Sequence, residues 1–141
     1  MVQNFVIPHS RPTLDESDLL SVSKVIRSGR IVQGEVVEKF ENKVAKYIGV
    51  DGAVAMNTGT SALHLSLLAI GIKEGDYVAM PSFVCTALLN AVRYVGAHPT
   101  LVDIDPETYN IDIRDLKKRV KKSTKAIILP HLFGLPADID E

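Results

Sequence analysis

From residue 53 onward, short apolar runs alternate with longer segments whose apolar residues recur at helical spacing, and this rhythm is the strongest constraint on the fold. Ala53-Val54-Ala55-Met56, Tyr77-Val78-Ala79-Met80, Thr100-Leu101-Val102 and Ala126-Ile127-Ile128-Leu129 are too short for helices and are bounded by turn residues, so they read as strands. Between them, Leu63, Leu67 and Ile70 mark a helix stopped at Gly71. Val84 to Val95 reads as a second, stopped at Gly96, and Ile113, Leu116 and Val120 mark a third. Strand, helix, strand, helix implies a mostly parallel sheet covered by helices, an α/β fold.

The chain before residue 53 reads differently. Pro8 and Pro12 keep residues 1 to 12 extended. Thr13 followed by Glu16 is a capping-box pattern that opens a helix with Leu19, Val22 and Ile26 on its apolar face and Gly29 beyond its end. After the polar loop 28–34, a second helix is predicted from Glu35 to Ile48, with Val37, Phe40, Val44 and Tyr47 on one side. No low-complexity segment or obvious linker divides the 141 residues, about one domain's length where ~100–200 is usual.

Composition bounds the function classes. A hydrophobic fraction of 46% is enough for a core, and a net charge of −1 gives no electrostatic case for nucleic acid or an anionic membrane. No apolar stretch approaches the ~20 residues needed to span a bilayer. Met1 to Pro8 lacks the basic start and apolar run of a signal peptide. Cys85 is the only cysteine, which excludes an internal disulfide and suits a reducing compartment. The expectation is a soluble, cytoplasmic protein.

One turn carries chemical promise. Asn57-Thr58-Gly59-Thr60-Ser61-Ala62-Leu63-His64 runs from the first predicted strand into a helix N-terminus. Unpaired amides and the positive end of the helix dipole converge there, Gly59 permits close approach, and Thr58, Thr60 and Ser61 add hydroxyls, a combination that suits a phosphate. The simpler reading is that Thr58 or Thr60 caps the helix. The turn has neither the Gly-Lys-Ser/Thr ending of a P-loop nor the three spaced glycines of a dinucleotide fingerprint. Ligands of open parallel sheets gather beyond the carboxyl ends of the strands. That places the loops 57–61, Pro81 to Thr86 and Pro130 to Gly134 at one edge, provided the strands share a sheet and a direction.

Taken together, the segments resemble the sugar aminotransferases of the DegT/StrS type, pyridoxal-phosphate enzymes of fold type I. The resemblance runs through Ile7-Pro8-His9-Ser10-Arg11-Pro12, Arg27-Ser28-Gly29, Gln33-Gly34 and Asn57 to Leu65. It continues through Pro81-Ser82-Phe83, Asn90-Ala91, Tyr94 to Ala97, Val102 to Asp112, Thr124 to Ile128 and His131-Leu132-Phe133-Gly134-Leu135-Pro136-Ala137-Asp138. It implies a three-layer α/β/α large domain, with residues 1–141 forming its N-terminal part, incomplete on the C-terminal side and without a second domain.

The resemblance also assigns roles. Gly59, Thr60 and Ser61 would hold the phosphate of pyridoxal 5'-phosphate. Cys85 falls where relatives often place an aromatic on the pyridine ring, a contact worth ~0.5–1.5 kcal/mol beyond burial; a thiol covers less of that face, and Cys85 also reads as a small buried hydrophobe. His131, in a turn with Phe133 where relatives more often carry Tyr, reads either as a residue positioning neighbours of the cofactor or as a strand-end histidine bonded to backbone. His9, His64 and His98 show no metal-ligand spacing with one another or with Cys85, so no metal is assigned. Asp103, Asp105 and Asp112 read as a structural loop around Pro106, and the lysines and arginine between Lys117 and Lys122 as a solvated helix face.

The family's chemistry needs a lysine that forms a Schiff base with the cofactor and an acid that pairs with the pyridinium nitrogen. Both lie downstream of the His131 turn in relatives, and no lysine here matches, so no catalytic residue is named and the chain reads as the inactive front portion of a longer enzyme. The first strand would also lack its usual neighbour and leave an exposed edge. The parent enzyme implied by the resemblance is a homodimer. It moves an amino group from an amino acid, commonly glutamate, to a nucleotide-linked keto-sugar, with the loop 28–34 near the subunit boundary. Two alternatives stay open: a dehydratase of the same family, with histidine in place of the lysine, and a non-catalytic cofactor-binding or interaction module.

Overall fold

The computed structural model describes residues 10–140; the extended reading of the first nine residues, with Pro8 and His9, lies outside them. The chain divides into two compact units, one ending at Val54 and one beginning at Ala55.

The first unit carries two helices, α1 (Glu16–Ser28) and α2 (Glu35–Ile48). The reciprocal cap of α1 sits two residues later than the Thr13–Glu16 pattern suggests. The Asp15 carboxylate accepts from the Ser17 and Asp18 amides, and the Asp15 amide donates to the Asp18 side chain at 3.0 Å. An aspartate pair makes the same exchange as Thr/Glu and adds negative charge at the positive end of the helix dipole. Gly29 and Gly49 end the two helices in left-handed conformation, as their positions suggest. The predicted face of α1 stays exposed, with Leu19, Val22 and Ile26 57 to 64% accessible; on α2 Phe40 and Tyr47 are exposed, Val37 and Val44 are half-buried, and Ala45 is the helices' one buried residue.

The second unit supplies the layers. Helix α3 (Gly59–Ala69) is followed by β1 (Tyr77–Pro81), α4 (Thr86–Tyr94), β2 (His98–Val102), α5 (Ile113–Arg119), β3 (Thr124–Ile127) and a short 3-10 turn, Leu132–Gly134. The strands form one parallel sheet in the order β2-β1-β3. Side-chain alternation along β1 separates two cores. Val78 and Met80 pack with Leu67, Leu88, Ala91, Val92 and Val95 from α3, α4 and its end, whereas Ala79 packs with Val102, Ile111 and Leu116 on the α5 side. Helices therefore cover both faces, giving the expected three layers. Full burial of Val78, Val92 and Val102 contributes ~1.5–3 kcal/mol each.

One expected strand is absent. Residues 53–56 belong to no strand; Val54 is 72% exposed and Met56 37%. Strand β1 already has β2 and β3 on its two edges, so a fourth run would have to join an outer edge. Ile70, expected on the core face of α3, is 65% exposed, since the helix has ended and the chain is turning at Gly71. Helix α4 begins at Thr86 rather than Val84, with Cys85 as its cap residue.

Because all three strands run in parallel, the segments after Pro81, Val102 and Ile127 leave the same sheet edge. The Ser82 amide donates to the Val102 carbonyl at 2.8 Å and fastens two of these exits together. At the opposite edge, the Gly75 amide donates to the Gly96 carbonyl, and Gly96 adopts φ +73 with Glu74 so close that an added Cβ would sit 3.0 Å from the Glu74 Cβ.

Candidate functional site

Helix α3 begins as its sequence dictates. Thr58, extended at φ −150 and ψ 155, is the N-cap, and its hydroxyl oxygen accepts from the Ser61 amide at 3.0 Å. The Ser61 hydroxyl lies 3.0 Å from the same oxygen, so one of the two hydroxyls donates to the other. The capping reading of Thr58 is thus realised, and it occupies one of the three amides expected to face a phosphate. The amides of Gly59 and Thr60 have no acceptor among the described residues. Nothing lies within 4 Å of the position a Gly59 Cβ would take, so the approach to them is open.

Beside this helix start is a cavity of about 300 Å³ lined by Asn57, Thr58, Thr60, Ser61, His64, Asn90 and Tyr94. Hydroxyls and amides share its wall equally with apolar surface, and the His64 and Tyr94 rings meet edge-on at 5.6 Å. The residues present fit an anionic group: donors with open access, at a helix start that carries partial positive charge. His64, Asn90 and Tyr94 were not singled out as site residues from sequence. Their convergence depends on how α3 packs against α4, a tertiary relation that helical spacing within each segment does not encode.

Cys85 and His131 are not among the residues lining this cavity. Cys85 is exposed, so the reading of it as a buried hydrophobe is set aside. It stands at the start of α4, just beyond the sheet edge. Near it in sequence, Phe83 pairs with Tyr109, ring centres 5.7 Å apart.

The loop after β2 is a folded scaffold. Asp105 accepts from the Glu107 and Thr108 amides, its own amide donates to the Asn110 carbonyl, and the Asp112 amide donates to the Asp103 carbonyl. The three aspartates therefore do structural work, as their pattern around Pro106 suggests. Asn110, 6% exposed, reaches from this loop to the turn after β3. Its Nδ2 donates to the carbonyls of Leu135 (3.1 Å) and Pro136 (3.3 Å), and its Oδ1 accepts from the Leu132 amide at 3.1 Å. Within that turn the Ala137 amide donates to His131 Nδ1 at 2.9 Å, so His131 is bonded to backbone. Phe133 sits at φ +53, a left-handed conformation costing a non-glycine residue about 1–2 kcal/mol. The Asn110 bonds offset it.

The Asp115 carboxylate lies below the usual carboxylate range, held there first by the Asp103 amide and then by Arg119. Asp112 is lowered chiefly by its hydrogen bond with Arg114.

Comparison with known proteins gives these features a context. The family model of the DegT/DnrJ/EryC1/StrS aminotransferases matches residues 12–141. A GDP-perosamine synthase of Escherichia coli O157:H7 is 40% identical over 136 residues, which are 96% of this chain and 37% of that protein. Among solved structures, a protein of Streptococcus pneumoniae given as a sugar aminotransferase, in its pyridoxamine-phosphate form, superposes with a TM-score of 0.91 at 32% identity, over 96% of this chain and 34% of its own. The Escherichia coli GDP-4-keto-6-deoxy-D-mannose-3-dehydratase with bound pyridoxal phosphate superposes with a TM-score of 0.88, also at 32% identity, over 94% and 36%. The chain thus spans about a third of the length of the proteins it matches. Among the described residues, no helix is long and apolar enough to cross a membrane.

Proposed function

The chain belongs to the DegT/DnrJ/EryC1/StrS aminotransferase family, and on that premise we propose that it is the phosphate-holding front portion of a pyridoxal-phosphate enzyme acting on a nucleotide-linked keto-sugar. The reaction is transfer of an amino group from an amino-acid donor, glutamate in this reading, in amino-sugar biosynthesis for the cell surface. The full protein works as a cytoplasmic homodimer.

The observation that carries the reading is the start of α3: two amides with no acceptor among the described residues, open approach at Gly59, and a cavity with polar lining alongside. Gly59, Thr60 and Ser61 hold the cofactor phosphate, Thr60 and Ser61 also lining the cavity. Cys85 covers part of the ring, and His131 faces the ligand from the turn after β3. When bound, the cofactor acts as an electron sink for the substrate carbon that loses its proton. This chain's residues anchor and orient it. No lysine among the 141 residues matches the family's cofactor-linking position, so the chain alone transfers no amino group.

Dehydration of the sugar remains the second reading, favoured by one observation: the dehydratase superposes at the same 32% identity as the aminotransferase. In this reading the residue that separates the two reactions, lysine or histidine, lies downstream of the His131 turn.

The anchoring role has a direct test. Gly59 is the first residue of α3, where proline is tolerated, and Thr58 already has the extended backbone that a residue before proline needs. Gly59→Pro therefore deletes one amide donor and little else. Equilibrium dialysis of the chain with pyridoxal phosphate should show affinity falling by about tenfold, the loss of one charge-assisted bond, with an unchanged melting temperature. Unaltered affinity would remove the phosphate assignment.

A further inference from the structure

The geometry points to Asn110 as a positioning residue for His131: with the Ala137 amide, it presents His131 as a hydrogen-bond donor through Nε2 at the carboxyl edge of the sheet. The imidazole's tautomer follows from its neighbour. The Ala137 amide donates to Nδ1 at 2.9 Å, so Nδ1 bears a lone pair and the neutral ring carries its proton on Nε2. That bond requires the two ends of the turn to be held at a fixed separation, and Asn110 holds both. It binds the amide of Leu132, the residue after His131, and the carbonyl of Pro136, the residue before Ala137, with Leu135 between them. The side-chain amide uses both donor hydrogens and its oxygen in doing so, and its burial leaves little water to substitute for any of them.

A fixed Nε2–H can serve only as a donor. Its natural partner is an anionic oxygen on a ligand lying over the sheet edge. This last step rests on the cofactor reading above and supplies pyridoxal phosphate as that ligand. The placement of His131 by Asn110 stands independently of it.

Two measurements separate the parts. In nitrogen-15-labelled chain, a through-bond coupling between the Ala137 amide and His131 Nδ1 is expected, with His131 assigned by its loss in His131→Gln. Asn110→Ala should abolish that coupling while leaving the resonances of His64 and His98, whose rings pack on Tyr94 and Tyr77, in place. Should Asn110→Ala fail to fold, Asn110→Asp keeps the acceptor for Leu132, loses both donors, and should also abolish the coupling. A wild-type His131 protonated on Nδ1, or a coupling that survives in the folded variant, would overturn the assignment.

For the ligand, pyridoxal phosphate dialysis should show His131→Phe binding about tenfold more weakly than wild type. His131→Gln, whose Nε2 also donates, should stay within about threefold. Equal loss in both variants would overturn the donor role. If wild type itself binds no pyridoxal phosphate, the cofactor reading and the donor role fall together, and the coupling still decides the placement by Asn110.

Discussion

Oγ1 of Thr58 stands 3.0 Å from both the amide nitrogen and the hydroxyl of Ser61. One oxygen thereby caps α3 and turns the Ser61 amide inward, away from any incoming anion. Capping and anion binding thus compete for the same donors, and a substitution can set them against each other. Thr58→Asp keeps an N-cap acceptor and adds negative charge at the positive helix end, so the fold should gain about 0.3–1 kcal/mol. The same charge repels a phosphate, so pyridoxal phosphate affinity should drop. Thermal unfolding and dialysis on one sample should move in opposite directions; parallel changes would mean that the cap and the anion site are unrelated.

Gly96 is the glycine where geometry leaves least choice. Its φ of +73 is left-handed, and an added Cβ would meet Glu74 atoms at 3.0 to 3.2 Å, one of them backbone. Gly96→Ala should lower stability by about 1–3 kcal/mol, combining the backbone cost with local crowding. Gly52→Ala, with nothing within 4 Å of its Cβ, is the matched control and should stay within ~0.5 kcal/mol. Urea unfolding distinguishes them.

Helix α3 separates what spacing predicts from what packing decides. Leu67 is 4% exposed and belongs to the core under the sheet, whereas Ile70, three residues on, is 65% exposed. Leu67→Ala should cost ~2–5 kcal/mol and Ile70→Ala less than ~0.5. A similar loss at both positions would mean that Ile70 is covered in solution.

The same helix shows how far the sequence could be read. Its start at Thr58-Gly59 and its end at Gly71 were legible because caps act locally: a hydroxyl before a helix and a left-handed glycine after it have few other uses. The three strands from Tyr77 onward are legible because short apolar runs between turn residues have little alternative in a chain of this rhythm. Residues 53–56 carry the same pattern and form no strand, although β2 and β3 each keep an outer edge among the described residues: a run of apolar residues does not specify which strand it pairs with. At the site, Thr60 and Ser61 were found from their place at a helix start. Asn110 is not legible in the sequence, because an asparagine in a turn-rich loop is ordinarily solvated and its burial depends on a turn more than twenty residues away. Likewise His64, Asn90 and Tyr94 share a cavity only after α3 and α4 have packed.

The carboxylates beyond β2 make stability depend on acid in a definite direction. Asp115 accepts from the Asp103 amide at 2.8 Å and pairs with Arg119, and both interactions hold its carboxyl below the usual value. Asp112 is lowered through Arg114 and Asp15 through Ser17. A group whose folded pKa is depressed contributes fully above its unfolded pKa, about 3.9 for aspartate, and loses that contribution as pH falls through the folded value. Stability should therefore be flat near neutrality and decline below about pH 4. Asp115→Asn retains an oxygen for the Asp103 amide but carries no charge. It should be less stable than wild type at pH 7 and should lose less on going from pH 5 to pH 3. Urea unfolding midpoints across that range provide the check, and parallel curves for the two proteins would show that the Asp115 charge does not anchor the loop to α5.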